Sequence, residues 1–472
     1  MSDEMNNTSA ICRRLKSIVG SQYVTDEPAE LWCYTGNLLP RNPELVVRPG
    51  SVEQLQAVVE VVVGAGLSVI PRGLATRSTP RRPGVYPATE GGVILETNRL
   101  KSIRRIDRSG MLVTAEAGVT MAELANHLAP LGYRVIEGTM APFCATVGSL
   151  TGVGPGLRKY GRREQQILDI EMVLSSGQVV HTANVEGYDM NLTPVLVAAQ
   201  GFECLGVVTA VTYRLHMLPE RFEYLNFEFD RTTNTVRFLL ELDRSVAVQL
   251  PGLFQVNVWP EAVFRLYARM PWVYRQSDDY RRLLGRYPPF PADVVGVILE
   301  GQEDQVVLQK TMLEEMAKEC GGIAAGSEPT RDYFVNRNWT GNTKCHEDVS
   351  RRTTSWAEPF FLCAVEDYPK AKSIAESVAA ACGFEIGERF WARGTLRSGL
   401  MGYTSCVTFD DTEVKERERA AAFVEKVLLE AAAVQPLSAN TASDRLSRDV
   451  LRALKELLDP GGMMYPGALY MD

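Results

Sequence analysis

Short apolar runs alternate with capped amphipathic runs over residues 49–215, and two loops of small residues interrupt the pattern. That alternation restricts this half of the chain to a layered arrangement of strands and helices. Ser51-Val52-Glu53-Gln54 forms a capping box, and the apolar period behind it predicts a helix reaching Val63 before Gly64 and Gly66 stop it. Residues 68–71, 92–97, 112–119 and 133–136 read as strands. Thr120-Met121-Ala122-Glu123 is a second capping box, opening a helix that ends near Gly132. Residues 167–181 read as a hairpin turning at Ser175-Ser176-Gly177, and residues 205–215 as one long strand.

The two loops carry the chemistry. Pro71-Arg72-Gly73-Leu74-Ala75-Thr76-Arg77-Ser78 follows a strand and combines small residues, hydroxyls and two arginines. Successive backbone N–H groups in such a loop can enclose an anion, and arginines add charge-assisted bonds to a pyrophosphate. No G-K-[ST] follows, so it is not a P-loop. The second loop is Thr146-Val147-Gly148-Ser149-Leu150-Thr151-Gly152-Val153-Gly154-Pro155-Gly156. Gly152 and Gly154 open as a dinucleotide fingerprint would. Pro155, the lack of a third glycine at the required spacing and the lack of a terminal acidic residue argue against a Rossmann site. Glycines still let a backbone approach a flat or charged ligand closely.

Composition narrows the classes. A net charge of −8 leaves no basic excess to neutralise phosphates, which excludes a nucleic-acid binder. The first ten residues are polar and acidic, and the longest apolar run, 57–63, is far too short to span a bilayer. A cytoplasmic enzyme without a membrane span is expected. The nine cysteines form no C-x-x-C pair and the four histidines are scattered, so buried free thiols and no metal are expected. After Pro219 aromatics and arginines become denser. Residues 309–320 and 412–433 read as amphipathic helices, and 360–364 and 405–409 as strands. At 472 residues, two domains are expected.

The order of short motifs resembles the flavin domain shared by vanillyl-alcohol oxidase, p-cresol methylhydroxylase, D-lactate dehydrogenase and the glycolate oxidase large subunit. The matching pieces are Val46-Val47-Arg48-Pro49-Gly50-Ser51, Pro71-Arg72-Gly73 and Ala115-Glu116-Ala117-Gly118-Val119. They continue with Ala145-Thr146-Val147-Gly148, Lys159-Tyr160-Gly161, Glu171-Met172-Val173-Leu174 and Cys204-Leu205-Gly206-Val207-Val208-Thr209. Leu458-Asp459-Pro460 and Tyr465-Pro466-Gly467 close the series. The likeness covers residues 40–217 well, the C-terminus fairly and the middle poorly.

The resemblance implies an α+β protein: a two-subdomain FAD-binding domain of the p-cresol methylhydroxylase type over 1–217, an α+β cap over 218–440 that shapes the substrate pocket, and a segment 441–472 returning to the first domain. It implies FAD, held by Pro71, Arg72, Gly73, Leu74, Ala75, Thr76 and Ser78 at the pyrophosphate. Thr146, Val147, Gly148, Ser149, Gly152, Tyr160, Gly161, Gly206, Val207 and Val208 would lie along the flavin. The chain departs from the pattern at Leu74-Ala75, at Ser149, and at Tyr465-Pro466-Gly467-Ala468, where relatives carry N-P-G-K. The metal-binding histidine motif of the D-lactate branch is missing, and Gln435-Pro436-Leu437-Ser438 stands near the place of the phenolate-binding Tyr-Arg pair.

Within the cap, residues 399–409 resemble the strand of the phenol-oxidising branch and align Tyr403 with a flavin-tethering position. A packing role for Tyr403 is the favoured reading, with a covalent tether as the alternative. Arg393 and Arg397, which flank Gly394-Thr395-Leu396, are candidates to grip a carboxylate or phenolate and to stabilise reduced flavin. Arg337, Arg351, Arg352, Tyr333 and Glu358 form a further polar stretch. The implied activity is hydride abstraction from a small alcohol, phenol or 2-hydroxy acid onto flavin N5. Oxygen, a quinone or a redox protein would then accept the electrons, and a homo-oligomer is compatible with the sequence. The alternatives are a reductase or redox-neutral flavoenzyme on the same fold, or a flavin-free binding subunit.

Overall fold

The computed structural model describes residues 2–34, 41–74, 91–136, 145–146, 159–160, 165–183, 191–199, 204–261, 290–326, 354–386, 389–397, 400–410, 412–434 and 442–466. Contacts divide the chain into two units. The first comprises Met1–Gly154, Arg162–Leu218 and Ala442–Asp472, and the second comprises Pro155–Gly161 and Pro219–Thr441.

The first unit holds two sheets. In the smaller, β1 (Val24–Thr25), β2 (Leu45–Val47), β3 (Val69–Arg72) and β4 (Val93–Glu96) stand in the order β1-β2-β4-β3. β2, β4 and β3 run parallel, and β1 is antiparallel to β2. Parallel strands need both faces covered, and these have both. On one face Leu45, Val47, Val69, Val93 and Leu95 pack with Leu55, Val58, Val59 and Val62 of the helix Val52–Gly64 and with Leu15 of the helix Ser2–Val19. On the other, Val46, Ile70 and Ile94 meet Tyr34 and Tyr465. Ser51 caps the helix Val52–Gly64 by accepting from Gln54 N at 3.2 Å.

The second sheet is antiparallel. It is formed by β5 (Ile103–Asp107), β6 (Leu112–Glu116), β7 (Tyr133–Val135), β8 (Ile167–Leu174), β9 (Val179–His181) and β10 (Gly206–Met217), ordered β5-β6-β10-β8-β9 with β7 on the end of β10. Its core packs Val113, Ala115, Ile170, Met172, Val208 and Val211 against Leu124 and Leu128 of the helix Met121–Leu128. Thr120 and Glu123 make the expected reciprocal capping box, with Glu123 N donating to Thr120 Oγ1 at 3.1 Å and Thr120 N donating to Glu123 Oε2 at 2.8 Å. Gly118 sits where the chain passes between the sheets. A Cβ there would lie 2.3 Å from Thr97 O, so only glycine fits.

The C-terminal segment contributes a helix, Ala442–Leu458, which the sequence reading did not anticipate. Beyond it Met464 bridges β3 in parallel, with Val69 N donating to Met463 O at 2.8 Å and Tyr465 N to Val69 O at 2.7 Å. Lys455 fixes this return by donating to Cys204 O at 2.7 Å and by bonding Asp459 and Met464 O.

The second unit is an antiparallel sheet with helices on one face. Its strands are β11 (Arg221–Phe229), β12 (Leu253–Pro260), β13 (Asp293–Gly301), β14 (Ile323–Ala325), β15 (Thr354–Ala357), β16 (Phe360–Ala364), β17 (Phe390–Arg397) and β18 (Leu400–Asp410). They are ordered β14-β11-β13-β12-β17-β18-β15, with β16 also on β18. The helices are Thr232–Gln249, Glu303–Glu319, Tyr368–Ala381 and Val414–Ala431. The first of them sets Phe238 against Phe227 and Phe229, and the last sets Phe423 against Phe390. Asp293, fully buried, ties three parts of this core together: it accepts from Thr235 Oγ1 at 3.0 Å and Tyr368 Oη at 2.7 Å and pairs with Lys372 at 3.2 Å. The fold class is α+β.

Candidate functional site

The parallel strands of the first unit end together, and the residues at their carboxyl ends converge. Arg48 follows β2, Arg72 ends β3 and Glu96 ends β4. Arg48 Nε bonds Glu96 Oε2 at 2.8 Å, and Arg72 Nε lies 3.7 Å from Glu96 Oε1. Tyr34 joins them: Arg48 Nη2 donates to its hydroxyl at 2.6 Å, the hydroxyl donates to Glu96 Oε2 at 3.3 Å, and the Arg72 guanidinium stacks 4.3 Å from its ring centroid. Asn98 Nδ2 donates to Glu96 Oε2 at 3.1 Å. Arg99 donates to Arg48 O at 2.8 Å and holds the turn in place.

Two guanidiniums face one carboxylate in this cluster. Glu96 is only 7% exposed, so water screens its ion pairs poorly. Burial pushes the Tyr34 phenol above its ordinary range, and the Glu96 charge adds to this against the pull of Arg48. Arg48 is desolvated too, but its bonds to Tyr34 and Glu96 outweigh that and hold it firmly charged. Open sheets with parallel strands bind ligands in the crevice beyond the carboxyl ends of the strands. The donor set fits the diphosphate of a dinucleotide: planar, permanently charged forks beside a strand end that leads into the 73–79 loop.

Of the residues expected at the pyrophosphate, Pro71, Arg72, Gly73 and Leu74 stand at this edge, while Ala75, Thr76 and Ser78 lie outside the described residues. Tyr34, Arg48 and Glu96 were not anticipated as site residues. The available signal was Arg48 standing immediately after one apolar run, as Arg72 does after another.

The second group divides differently. Val147, Gly148, Ser149, Gly152 and Gly161 lie outside the described residues. Thr146 is fully buried and its hydroxyl donates to Glu116 O at 2.7 Å. Its own N donates to Val119 O at 2.7 Å, and its carbonyl accepts from Tyr213 Oη at 3.0 Å, so Thr146 anchors the root of its loop. Gly206, Val207 and Val208 begin β10 as packing positions. A Cβ on Gly206 would lie 2.6 Å from Val173 O, while Val207 and Val208 are buried in the two cores on either side of the sheet. Tyr160 groups with the second unit, where its hydroxyl donates to the fully buried Glu300 at 2.5 Å, Lys159 pairs with the same oxygen at 3.2 Å, and Phe254 meets its ring edge-on.

Tyr403, read above as a packing residue with a covalent tether as the alternative, packs in the core of the second unit. It is fully buried on the helix-covered face of the second sheet, 5.5 Å from Phe361 and 6.1 Å from Tyr368 between ring centroids. Burial pushes its phenol well above its ordinary range, so it is held neutral as a packing residue. Arg393 and Arg397 occupy β17 opposite Thr404 and Leu400 in β18, and their side chains lie outside the described residues. Glu358 is buried, and Tyr333, Arg337, Arg351 and Arg352 lie outside the described residues or side chains.

Comparison with solved structures places this architecture. 4-Ethylphenol oxidase from Gulosibacter chungangensis superposes with a TM-score of 0.80 at 14% identity, covering 98% of this chain and 97% of that one. p-Cresol methylhydroxylase superposes with a TM-score of 0.78 at 18% identity over 99% and 97%. The fold is therefore the p-cresol methylhydroxylase type. Residues 43–183 match the FAD binding domain family. A probable mitochondrial D-lactate dehydrogenase of Danio rerio is 30% identical over 190 residues, 38% of this chain and 36% of that protein. The chain spans half or less of the length of the curated relatives it matches. Among the described residues, no helix is long and apolar enough to cross a membrane.

Proposed function

We propose that the chain is an FAD-dependent oxidoreductase acting on a small alcohol, phenol or 2-hydroxy acid. The Arg48–Arg72–Glu96 cluster carries this reading: two guanidiniums, fixed at the carboxyl edge of a parallel sheet, inside the segment that matches the FAD binding domain. Arg48 and Arg72 hold the diphosphate. Bound FAD supplies the two-electron acceptor for substrate oxidation. The second unit acts as the cap and binds the substrate. Arg393 and Arg397 are its candidate charged groups, for orienting an anionic oxygen. Oxygen, a quinone or a redox protein serves as the second substrate.

The names of the similar proteins support the reaction class. A 4-ethylphenol oxidase and a p-cresol methylhydroxylase share the fold, and a probable D-lactate dehydrogenase shares part of the sequence. The test is anaerobic titration of the FAD-loaded protein with a panel of phenols, alcohols and 2-hydroxy acids. At least one member of the panel should bleach the flavin absorbance. A folded, FAD-loaded protein that no member bleaches contradicts the reading and turns attention to redox-neutral use of the cofactor.

A further inference from the structure

The face of the second sheet opposite the helices carries a row of polar residues and glycines. Register aligns Asn226 of β11 with Gly296 of β13, Gly296 with Asn257 of β12, Asn257 with Thr395 of β17, and Thr395 with Gly402 of β18. The neighbouring row on the helix face reads Phe227, Val295, Val258, Gly394 and Tyr403, an ordinary apolar core. Three amide or hydroxyl side chains at the centre of a sheet need a reason, since burying polar groups is costly. Asn226 has one: its Nδ2 donates to Gly326 O at 2.5 Å.

Asn257 is fully buried, and only half of its amide is used. Its Oδ1 accepts from Gln255 Nε2 at 3.2 Å and from Thr395 Oγ1 at 3.2 Å. Those two donors fix which way the amide points. Its Nδ2 has no hydrogen-bond partner among the described residues. A buried donor left bare destabilises a protein and calls for an explanation. The positions that flank the Asn257–Thr395 pair in this row, Gly296 and Gly402, carry no side chain.

We propose that Asn257 Nδ2 is the substrate-positioning donor of the cap and receives a planar carboxylate or carbonyl oxygen. Thr395 and Gln255 serve as positioning residues that hold the amide in its donating orientation. This rests on the reading of the second unit as the substrate-binding cap. A neutral amide reads oxygen position without demanding charge, so it complements the guanidinium chemistry already assigned to the unit.

The test uses the FAD-loaded full chain with benzoate and benzaldehyde as probes, binding being read from flavin difference spectra and calorimetry. The variants are Asn257→Asp, which replaces the donor by an acceptor, Asn257→Leu and Thr395→Val. Benzoate or benzaldehyde is expected to bind the wild type. Asn257→Asp and Asn257→Leu should weaken that binding more than tenfold, and Thr395→Val severalfold, all with FAD affinity unchanged. Variants that bind the probes like the wild type overturn the proposal, as does a wild type that binds neither probe. If the Asn257 variants do not fold, Thr395→Val decides alone. Refusal of FAD by the wild type would instead sink the flavoenzyme reading, so the two failures are told apart.

Discussion

Tyr34, Arg48, Arg72 and Glu96 come from four separate places in the sequence and form one charged cluster because three parallel strands end at the same edge. Only Arg72 was legible as a site residue beforehand. Pairing through a parallel sheet is non-local, and a single residue after a short apolar run carries no sign of its neighbours. Tyr403 shows the reverse. Its strand was recognisable, but the face it takes depends on register, and a shift of one position reverses every side chain. Its burial has a consequence for pH. Cys363 is pushed up to about 12 by desolvation, and Tyr368 and Tyr403 are raised well above their ordinary range, chiefly by burial. Each group stays protonated in the folded state and ionises more readily once unfolded. The stability they contribute is full below the unfolded values and is lost as pH climbs toward the folded ones. The melting temperature should therefore fall above about pH 9, the onset set by an unperturbed thiol. Tyrosinate absorbance from Tyr368 and Tyr403 should appear only together with unfolding. Ionisation of every tyrosine in the folded protein would contradict their enclosure.

At the scale of elements, helices with local signals were the most readable. Both N-caps form where Ser51 and Thr120 indicated, because a cap is fixed by residues three apart, but only Thr120 and Glu123 make the reciprocal box, since Gln54 Oε1 accepts from Gly50 N instead. The helix expected over 309–320 starts earlier, at Glu303, and the strand expected over 405–409 runs from Leu400. The helix Ala442–Leu458 was missed, and so were β11, β12 and β13. β12 and β13 are buried along nearly their whole length and β11 over its second half, so apolarity alone did not separate them from other core segments. Gly206 was read as a flavin contact because of its motif, and the structure gives its glycine a sheet-packing reason. Gly206→Ala would drive a methyl group into Val173 O. It should cost about 1–3 kcal/mol, the range for overpacking a tight core. Urea denaturation checks this, and an unchanged midpoint would show that β8 and β10 can separate without penalty.

For the whole molecule, the order of weak motifs said more than any one of them. Eight short pieces in sequence pointed to an α+β flavin fold, and the structure superposes on proteins of that type across nearly its full length. The second unit was poorly legible because its sheet joins strands distant in sequence, and rows such as the one centred on Asn257 exist only across those strands. The central claim is that the first unit holds FAD at the carboxyl edge of its parallel sheet. Fluorescence titration of the folded, cofactor-stripped protein with FAD, run beside Arg72→Ala, tests it most directly. Saturable binding is expected for the wild type. Binding should be about tenfold to a hundredfold weaker for the variant, the loss that goes with one charge-assisted contact of about 1.5–3 kcal/mol. A wild type that does not take up FAD, or an Arg72→Ala protein that binds it equally well, would contradict the account.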